Sequence, residues 1–317
     1  MTRELTDLEC EFLEETLREI NGVGKATATR IIATQSTFSD FSDVTEEDIS
    51  EIPRLDSEVK SAVVDKLNRI DFDQPVQVLY TKKILIDFLD NQYNKVRSLT
   101  LGELDINVLL IKALGFTTAE EVIEFYLYQR VTRSSVTSWG QTAIEEICVV
   151  VGAEEVPKDE NVQVSGKRFD VKVEGDDETH YVQVKSGPNT MNIGMVDSLN
   201  KMIEKIEEKH ENATGVLGMT YGERNQVSSQ IRGNLNDFNE KGLIGQGFWE
   251  LVTGDEEFYA ELIELIDDLS KEYEERYERS YFDLIENKIS QLADDWEDEY
   301  GAKGKEGLDA FVAEFTE

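Results

Sequence analysis

Three side chains that could act together in hydrolysis lie close to one another in this sequence: Asp170, Gln183 and Lys185. Asp170 and Gln183 carry the oxygen ligands that hard divalent cations prefer. A lysine beside such an ion can orient an attacking water or stabilise negative charge that develops on phosphorus. The set therefore suits metal-assisted hydrolysis, provided that the fold brings the three side chains to one rigid face.

The segments around these residues have the pattern of a β-hairpin. Valine alternates with polar residues in both segments, which predicts two half-buried strands, and Gly-Asp-Asp-Glu between them is typical of a turn. If Asp176 and Asp177 form a two-residue loop, antiparallel pairing places Asp170 opposite Gln183, with Lys185 one step along on the same face. A slip of one residue would scatter the group. The alternative is a surface hairpin with solvated charges.

The elements around the hairpin follow a regular order. Apolar periodicity predicts helices over 138–152 and 193–210, and short strands over 161–165 and 214–220. With the hairpin, the order is α-β-β-β-α-β. We therefore expect a mixed sheet flanked by helices.

Glu145 lies on the first of these helices, beside an apolar stripe that includes Ile144, Ile147 and Cys148. Glu146 points further from that stripe. Glu145 is therefore the candidate for an additional carboxylate directed at a metal ion. The alternative is an ordinary solvated helix glutamate.

Asp170 followed by Gln183-Val184-Lys185 resembles the PD-(D/E)xK nuclease motif. Two longer strings resemble a group of type II restriction endonucleases within that superfamily: Lys-Ser-Gly-Pro-Asn-Thr-Met-Asn at 185–192 and Gly-Phe-Trp-Glu-Leu-Val-Thr-Gly-Asp at 247–255. The resemblance covers roughly residues 130–265. Gln183 departs from the usual Asp or Glu, and its neutral carbonyl bears on metal affinity and metal choice.

The resemblance implies an α/β nuclease core of the restriction-endonuclease type that cuts double-stranded DNA at a specific sequence. It implies Mg²⁺, with Mn²⁺ as a substitute, held by Asp170, the Gln183 side chain, the carbonyl of Val184 and Glu145, with Lys185 as a catalytic residue. A homodimer and a cognate DNA methyltransferase are the expected partners. Two alternatives stay open: a repair or junction-specific nuclease, and a catalytically inactive DNA-binding protein.

The charge of the chain is unusual for a protein that contacts DNA. Its 317 residues include 67 acidic and 32 basic side chains, for a formal net charge of −35. The acids are spread along the chain, which we interpret as salt adaptation in an extreme halophile. At molar salt the Debye length is about 3 Å, so long-range repulsion from phosphate almost vanishes.

Other classes of protein are disfavoured. Cys10 and Cys148 lack partners for a zinc cluster and suit a reducing compartment, and neither His180 nor His210 follows a nucleophile signature. No apolar stretch approaches the roughly 20 residues of a membrane span. We therefore expect a soluble, cytoplasmic protein.

Long runs without acidic residues stand out against this acidic background. They span 20–39, 125–144, 179–196 and 224–236, and we predict that they form the DNA-binding face. The candidate DNA-binding residues are Gly22, Gly24, Lys25, Arg30, Arg130, Arg133, Ser186, Asn189, Asn192, Arg224 and Arg232.

The N-terminal part has its own motif. Residues 8–34 contain two apolar-striped helices around Asn-Gly-Val-Gly-Lys and resemble a helix-hairpin-helix, in which backbone N–H groups hold a phosphate. Residues 49–67 look like a second copy in which Arg54 and Asp56 replace the glycines, so its expected role is structural. The sequence thus predicts an all-α tandem helix-hairpin-helix domain (1–72), a helical connector (76–130), the nuclease core (131–254) and an acidic helical C-terminal region (255–317).

Overall fold

In the computed structural model, residues 5–53 and 55–315 are described, and Gln141 is described by its backbone alone. The first four residues of the predicted N-terminal domain and the last two of the predicted C-terminal region lie outside these residues. So does Arg54, which stands in place of a glycine in the second helix-hairpin-helix copy. The chain divides into two compact units, one ending at Lys83 and the other beginning at Ile84. The division falls within the first part of the segment predicted as a connector.

The described residues of the first unit form helices and no strand. They are α1 (Asp7–Arg18), α2 (Lys25–Ile32), a 3₁₀ turn (Ser39–Asp43), α3 (Ser57–Leu67) and the beginning of α4 (Val76–Ser98). Apolar side chains from all of these elements are buried together, which is how helices this short become stable. The largest fully buried ones in this unit are Phe41, Leu13, Leu17, Ile31, Ile49 and Leu67.

The connection between α1 and α2 depends on glycine. Gly22 has a φ of +94°, and a Cβ there would also approach the side chain of Val59 at 3.2 Å. A left-handed conformation of this kind favours glycine. Gly24 then provides the extended residue from which α2 begins.

The second unit contains a five-stranded mixed sheet in the order β1-β2-β3-β4-β5. The strands are β1 (Glu154–Glu155), β2 (Val171–Glu174), β3 (Thr179–Lys185), β4 (Ala213–Met219) and β5 (Gly242–Ile244). β1 and β3 pair antiparallel with β2, whereas β3, β4 and β5 pair parallel to one another.

The hairpin of β2 and β3 has the predicted register. Val171 pairs with Val182, and the Gly175 N–H donates a 2.9 Å hydrogen bond to the Glu178 carbonyl. The two aspartates between Gly175 and Glu178 therefore form the two-residue loop that the sequence predicted.

The predicted strand over 161–165 is wrong, and the first strand is instead β1. Ser165 and Gly166 both have positive φ, 52° and 79°, and Val164 and Lys167 exchange backbone hydrogen bonds of 3.1 and 2.9 Å. This tight turn folds the segment back on itself. The side chain of Asn161 also binds the backbone N–H and carbonyl of Phe169, which further diverts the chain from an extended path.

Helices cover both faces of the sheet. A Cβ on Gly215 of β4 would meet Ile203 of α8 (Ile193–Lys209) at 2.9 Å, whereas one on Gly218 would meet Phe248 of α11 (Gln246–Thr253) at 2.5 Å. Because side chains alternate along a strand, positions 215 and 218 point to opposite faces. With α7 (Ile144–Val151) ahead of β1, the predicted α-β-β-β-α-β order is present.

The remaining helices are α5 (Val108–Leu114), α6 (Ala119–Ser138), α9 (Ser229–Asn234), α10 (Phe238–Lys241), α12 (Phe258–Tyr277), α13 (Tyr281–Tyr300) and α14 (Lys305–Ala313). Aromatic packing joins α12 to α4, where the rings of Tyr277 and Tyr93 stack with their centroids 5.1 Å apart. Within the described residues, no helix combines the length and apolar character needed to cross a bilayer.

Candidate active site

Asp170 lies immediately before β2 and is held across the hairpin. Its N–H donates to the Val182 carbonyl at 2.9 Å, and its Oδ2 accepts the Val184 N–H at 2.7 Å. The Gln183 amide nitrogen donates to the same oxygen, and Gln183 is buried. Backbone pairing and the buried amide thus fix the carboxylate, because the predicted register places residues 170 and 183 opposite each other.

Lys185 ends β3 on the same face. Its Nζ lies 3.9 Å from Asp170 Oδ2 and donates to the Val184 carbonyl at 2.6 Å. The side chains of Asp170 and Lys185 are each 21% exposed. The structure therefore brings together Asp170, Gln183 and Lys185, as the sequence predicted.

Glu145 approaches this group from α7. A π-helical segment, Trp139–Ala143, leads into that helix, and π segments occur often at functional sites. Burial, followed by repulsion from Asp170, raises the pKa of Glu145 to about 7. Glu145 is half-buried and Glu146 is exposed, in the relative positions predicted from the apolar stripe.

Burial shifts the pKa of both charged side chains of the hairpin, Asp170 and Lys185. It raises the pKa of Asp170 above its ordinary value, although Lys185 and the two N–H donors act in the opposite direction. It lowers the pKa of Lys185, against the attraction of Asp170 and Glu145. Lys185 therefore releases its proton more readily than an exposed lysine does.

A cleft of about 570 Å³ opens over these residues. Ser186 lies in its wall so close to the helix that a Cβ on Gly140 would meet the Ser186 Cβ at 3.1 Å. Lys167 and Arg168 also line the cleft, although neither was predicted to belong to the site. The sequence does contain an indication of these two residues, because they lie in a stretch, 161–169, that has no acidic side chain.

The site offers both charged and neutral oxygen atoms as possible ligands for a metal ion. Among the described residues, no three His, Cys, Asp or Glu side chains come together as a metal site. Asp170 and Glu145 contribute two carboxylates, so further ligands at this position have to be neutral oxygens. The Val184 carbonyl and the Gln183 side-chain oxygen are of that type.

The other predicted DNA-binding residues of the second unit have varied surroundings. Asn189 is exposed, whereas the exposed Asn192 caps α8 by accepting the Met195 N–H at 3.0 Å. Arg224 Nη2 donates to the Asn239 carbonyl at 3.0 Å, and Arg232 is exposed on α9.

On α6, Arg130 lies 3.4 Å from a carboxylate oxygen of Asp105, and Arg133 is exposed. In the first unit, Lys25 lies 3.4 Å from Glu14, Arg30 is exposed, and Gly22 and Gly24 flank the turn before α2. Of the candidates named for DNA contact, Ser186 is the one that lines the active-site cleft.

The family comparison agrees with this geometry. A family model described as Type II restriction endonuclease EcoO109I matches residues 76–274, which include the hairpin, Glu145 and the cleft. A search of curated proteins finds no match. Because the family model covers more than half of the chain, this protein belongs to the type II restriction endonuclease EcoO109I family.

Proposed function

We propose that the protein is a divalent-metal-dependent nuclease that hydrolyses phosphodiester bonds in double-stranded DNA at a specific sequence. The observation that carries the proposal is the pairing of Asp170 and Lys185 on one hairpin face, 3.9 Å apart, with Glu145 beside them. This arrangement is the one expected of the PD-(D/E)xK motif. The family assignment supports a nuclease acting on DNA.

The donor set fits Mg²⁺, with Mn²⁺ as an alternative ion. Repulsion between Asp170 and Glu145 contributes to the raised pKa of Glu145, and a divalent cation would relieve that repulsion. Asp170, Glu145, the Val184 carbonyl and the Gln183 oxygen would hold the ion. The ion would polarise the phosphate and lower the pKa of water.

The chain's own residues contribute positioning and proton transfer. The Val184 N–H keeps Asp170 in place, and burial of Lys185 favours a neutral amine at Nζ. A neutral Nζ can accept a proton from the attacking water, and a protonated one can stabilise charge on the phosphate. Gln183 must turn its amide by half a rotation to offer oxygen instead of nitrogen, because it now donates to Asp170.

The N-terminal unit is proposed to hold DNA without reading its sequence, as a helix-hairpin-helix does. In the described backbone hydrogen bonds, the N–H groups of Gly24, Lys25 and Ala26 have no acceptor. Such groups at a helix N-terminus bind phosphate readily. We expect Lys25→Ala to weaken binding on all DNA sequences alike.

The proposal extends to the biological setting. Cutting both strands of a symmetric site suits a homodimer, and host DNA would be protected by a cognate methyltransferase. The spread of acidic side chains along the chain supports an extreme halophile as the source, and we place the protein in the cytoplasm of that organism. Equal stability and activity at low salt would contradict the halophilic part.

A second candidate is an inactive DNA-binding protein. Gln183 stands where a carboxylate is usual, and its amide nitrogen binds Asp170 directly. That contact reduces the negative charge available to a metal ion. Binding to DNA that persists with metal but without cleavage would favour this candidate, whereas cleavage at branched DNA alone would favour a junction nuclease.

The direct test is incubation of the purified protein with a large sequenced plasmid in molar KCl, with Mg²⁺ or Mn²⁺. Lys185→Ala is the catalytic variant, and Lys158→Ala, an exposed lysine outside the cleft, is the matched control. We expect discrete fragments from wild type and Lys158→Ala and none from Lys185→Ala. No cutting by any of the three with either ion would reject the nuclease.

A further inference from the structure

A second cleft, of about 720 Å³, lies between the C-terminal half of α4 and α6. Basic and hydroxyl side chains line much of it: Lys95 on α4, and Arg130, Arg133, Ser134 and Ser138 on α6. In a chain with 67 acidic and 32 basic residues, a basic concavity of this kind is unusual.

Lys95 is held by hydroxyl groups. Its Nζ donates to Ser134 Oγ at 3.2 Å and to Ser138 Oγ at 2.9 Å, and it forms no ion pair with any described residue. Each serine accepts from the lysine, so its own O–H proton remains to be donated. Within the described part of the chain, neither hydroxyl has an acceptor. The ammonium and both hydroxyl protons therefore lack a negatively charged partner.

Two further donors in the lining have no protein partner among the described residues. Arg133 forms no hydrogen bond or ion pair with the described residues, although it lines the cleft. Gln92 is 4% exposed; its oxygen accepts Ser135 Oγ at 2.9 Å, and its Nε2 has no partner among the described atoms. The unmet hydrogen-bonding capacity of these groups is all on the donor side, which suits an anion.

The acids of the cleft already have partners. Asp105 pairs with Arg130, and Glu103 accepts the Thr100 N–H at 2.8 Å. Neither carboxylate lies within ion-pair distance of Lys95. The charge of Lys95 and of Arg133 is thus left for a ligand.

We propose that this cleft binds a phosphate group of the DNA backbone, away from the scissile phosphate. This inference rests on the proposed function. A tetrahedral phosphate has the oxygen acceptors that an ammonium, a guanidinium and two hydroxyls require.

The position of the cleft supports the backbone as the source. α6 continues through the π-helical segment into α7, and Thr137 lines both clefts. From Ser134 to Glu145 the helix advances about 16 Å at 1.5 Å per residue. That is about five base-pair steps of 3.4 Å, a reach that one bound duplex covers easily.

The test is the salt dependence of duplex binding, measured in the absence of divalent ions so that no cleavage occurs. The proteins are wild type, Lys95→Met, and Lys112→Met as the matched control, since Lys112 pairs with Asp309 outside the cleft. Loss of one phosphate contact should lower the slope of log K against log salt by about one for Lys95→Met. We expect no change of slope for Lys112→Met.

A second arm separates backbone phosphate from free phosphate. Inorganic phosphate is added to the full-length protein without DNA, and the Tm of wild type and Lys95→Met is compared. If phosphate raises the Tm of wild type alone while the DNA slopes are equal, the cleft takes free phosphate and the DNA assignment is wrong. Equal slopes without a phosphate effect overturn the site altogether.

Two controls keep the result interpretable. If Lys95→Met does not fold, Arg133→Met replaces it, because Arg133 is the second cation of the cleft without an ion-pair partner among the described residues and is exposed. A reduced slope in that variant supports the proposal, and an unchanged slope overturns it. Wild type that binds no duplex rejects the proposed function, whereas binding with unchanged slopes rejects the phosphate cleft alone.

Discussion

Two lysines on the same face of the β2–β3 hairpin have opposite electrostatic surroundings. Lys172 is 9% exposed as a side chain and contacts Glu174 at 2.8 Å, Glu154 at 3.1 Å and Glu160 at 3.5 Å. Its hydrogen bond with Glu174 leads the interactions that raise its pKa. Lys185 is 21% exposed, its nearest carboxylate oxygen in the described ion pairs is 3.9 Å away, and burial lowers its pKa.

The difference shows that burial alone does not decide the direction in which the pKa of a lysine shifts. Direct carboxylate hydrogen bonds compensate Lys172, which remains charged and joins β2 to the segment before it. Lys185 donates its short hydrogen bond to a neutral carbonyl, which does not offset the free-energy cost of burying a positive charge. The first lysine is therefore structural, and the second is suited to proton transfer.

The largest expected effect comes from Lys185→Arg, which keeps the positive charge and removes the proton transfer. A guanidinium has a pKa above about 12 and cannot act as a base at neutral pH. We expect the single-turnover cleavage rate to fall about 10²- to 10⁴-fold, the usual contribution of general acid–base catalysis. DNA affinity should stay within a few-fold of wild type. Full activity would mean that Lys185 acts through its charge only.

Lys172→Met should damage stability and not chemistry. It leaves three carboxylates without their cation, although Glu154 and Glu174 are more than half exposed and water can solvate them. We expect a loss of about 1–3 kcal/mol in unfolding free energy. Denaturant titration measures it, with the exposed, ion-paired Lys271→Met on α12 as control. Lost cleavage in folded Lys172→Met would undermine the contrast between the two lysines.

Gln183→Glu adds the carboxylate that is usual at this position. More ligand charge should strengthen Mg²⁺ binding about 10-fold, because affinity in such sites follows the number of charged ligands. Calorimetric titration of metal into wild type and variant provides the comparison. Unchanged affinity would show that residue 183 lies outside the coordination sphere.

Removal of metal by EDTA should stop cleavage and leave the fold almost unchanged. Backbone pairing forms the hairpin, and the Val184 N–H and the Gln183 amide both donate to Asp170, so the protein itself supplies contacts that hold this carboxylate. We expect the Tm of the protein in EDTA to lie close to its Tm in Mg²⁺. A large drop in Tm would reveal a structural ion elsewhere.

Local patterns were sufficient to predict the centre of the site. A Gly-Asp-Asp-Glu turn and valine alternation determine the hairpin register, and with it the meeting of Asp170, Gln183 and Lys185. The apolar stripe on α7 likewise predicted which of two adjacent glutamates turns inward. These features depend on residues a few positions apart.

Two kinds of feature were not predicted: a tight turn after an alternating segment, and contacts between residues far apart in the sequence. Val162 and Val164 alternate as in a strand, yet positive φ at Ser165 and Gly166 turns the segment back. The ion pairs of Lys172 were not predicted, because its partner Glu154 comes from a strand that no pattern indicated. Lys95 was missed for the same reason, since its serine partners lie about 40 residues away.

The hydrogen bond from the Val184 N–H to Asp170 has an evolutionary consequence. A backbone donor is unaltered by almost every side-chain substitution, so the aspartate keeps its place while neighbouring residues vary. A lineage built on this hairpin can therefore change the side chains around Asp170 while the position of that carboxylate is inherited unchanged.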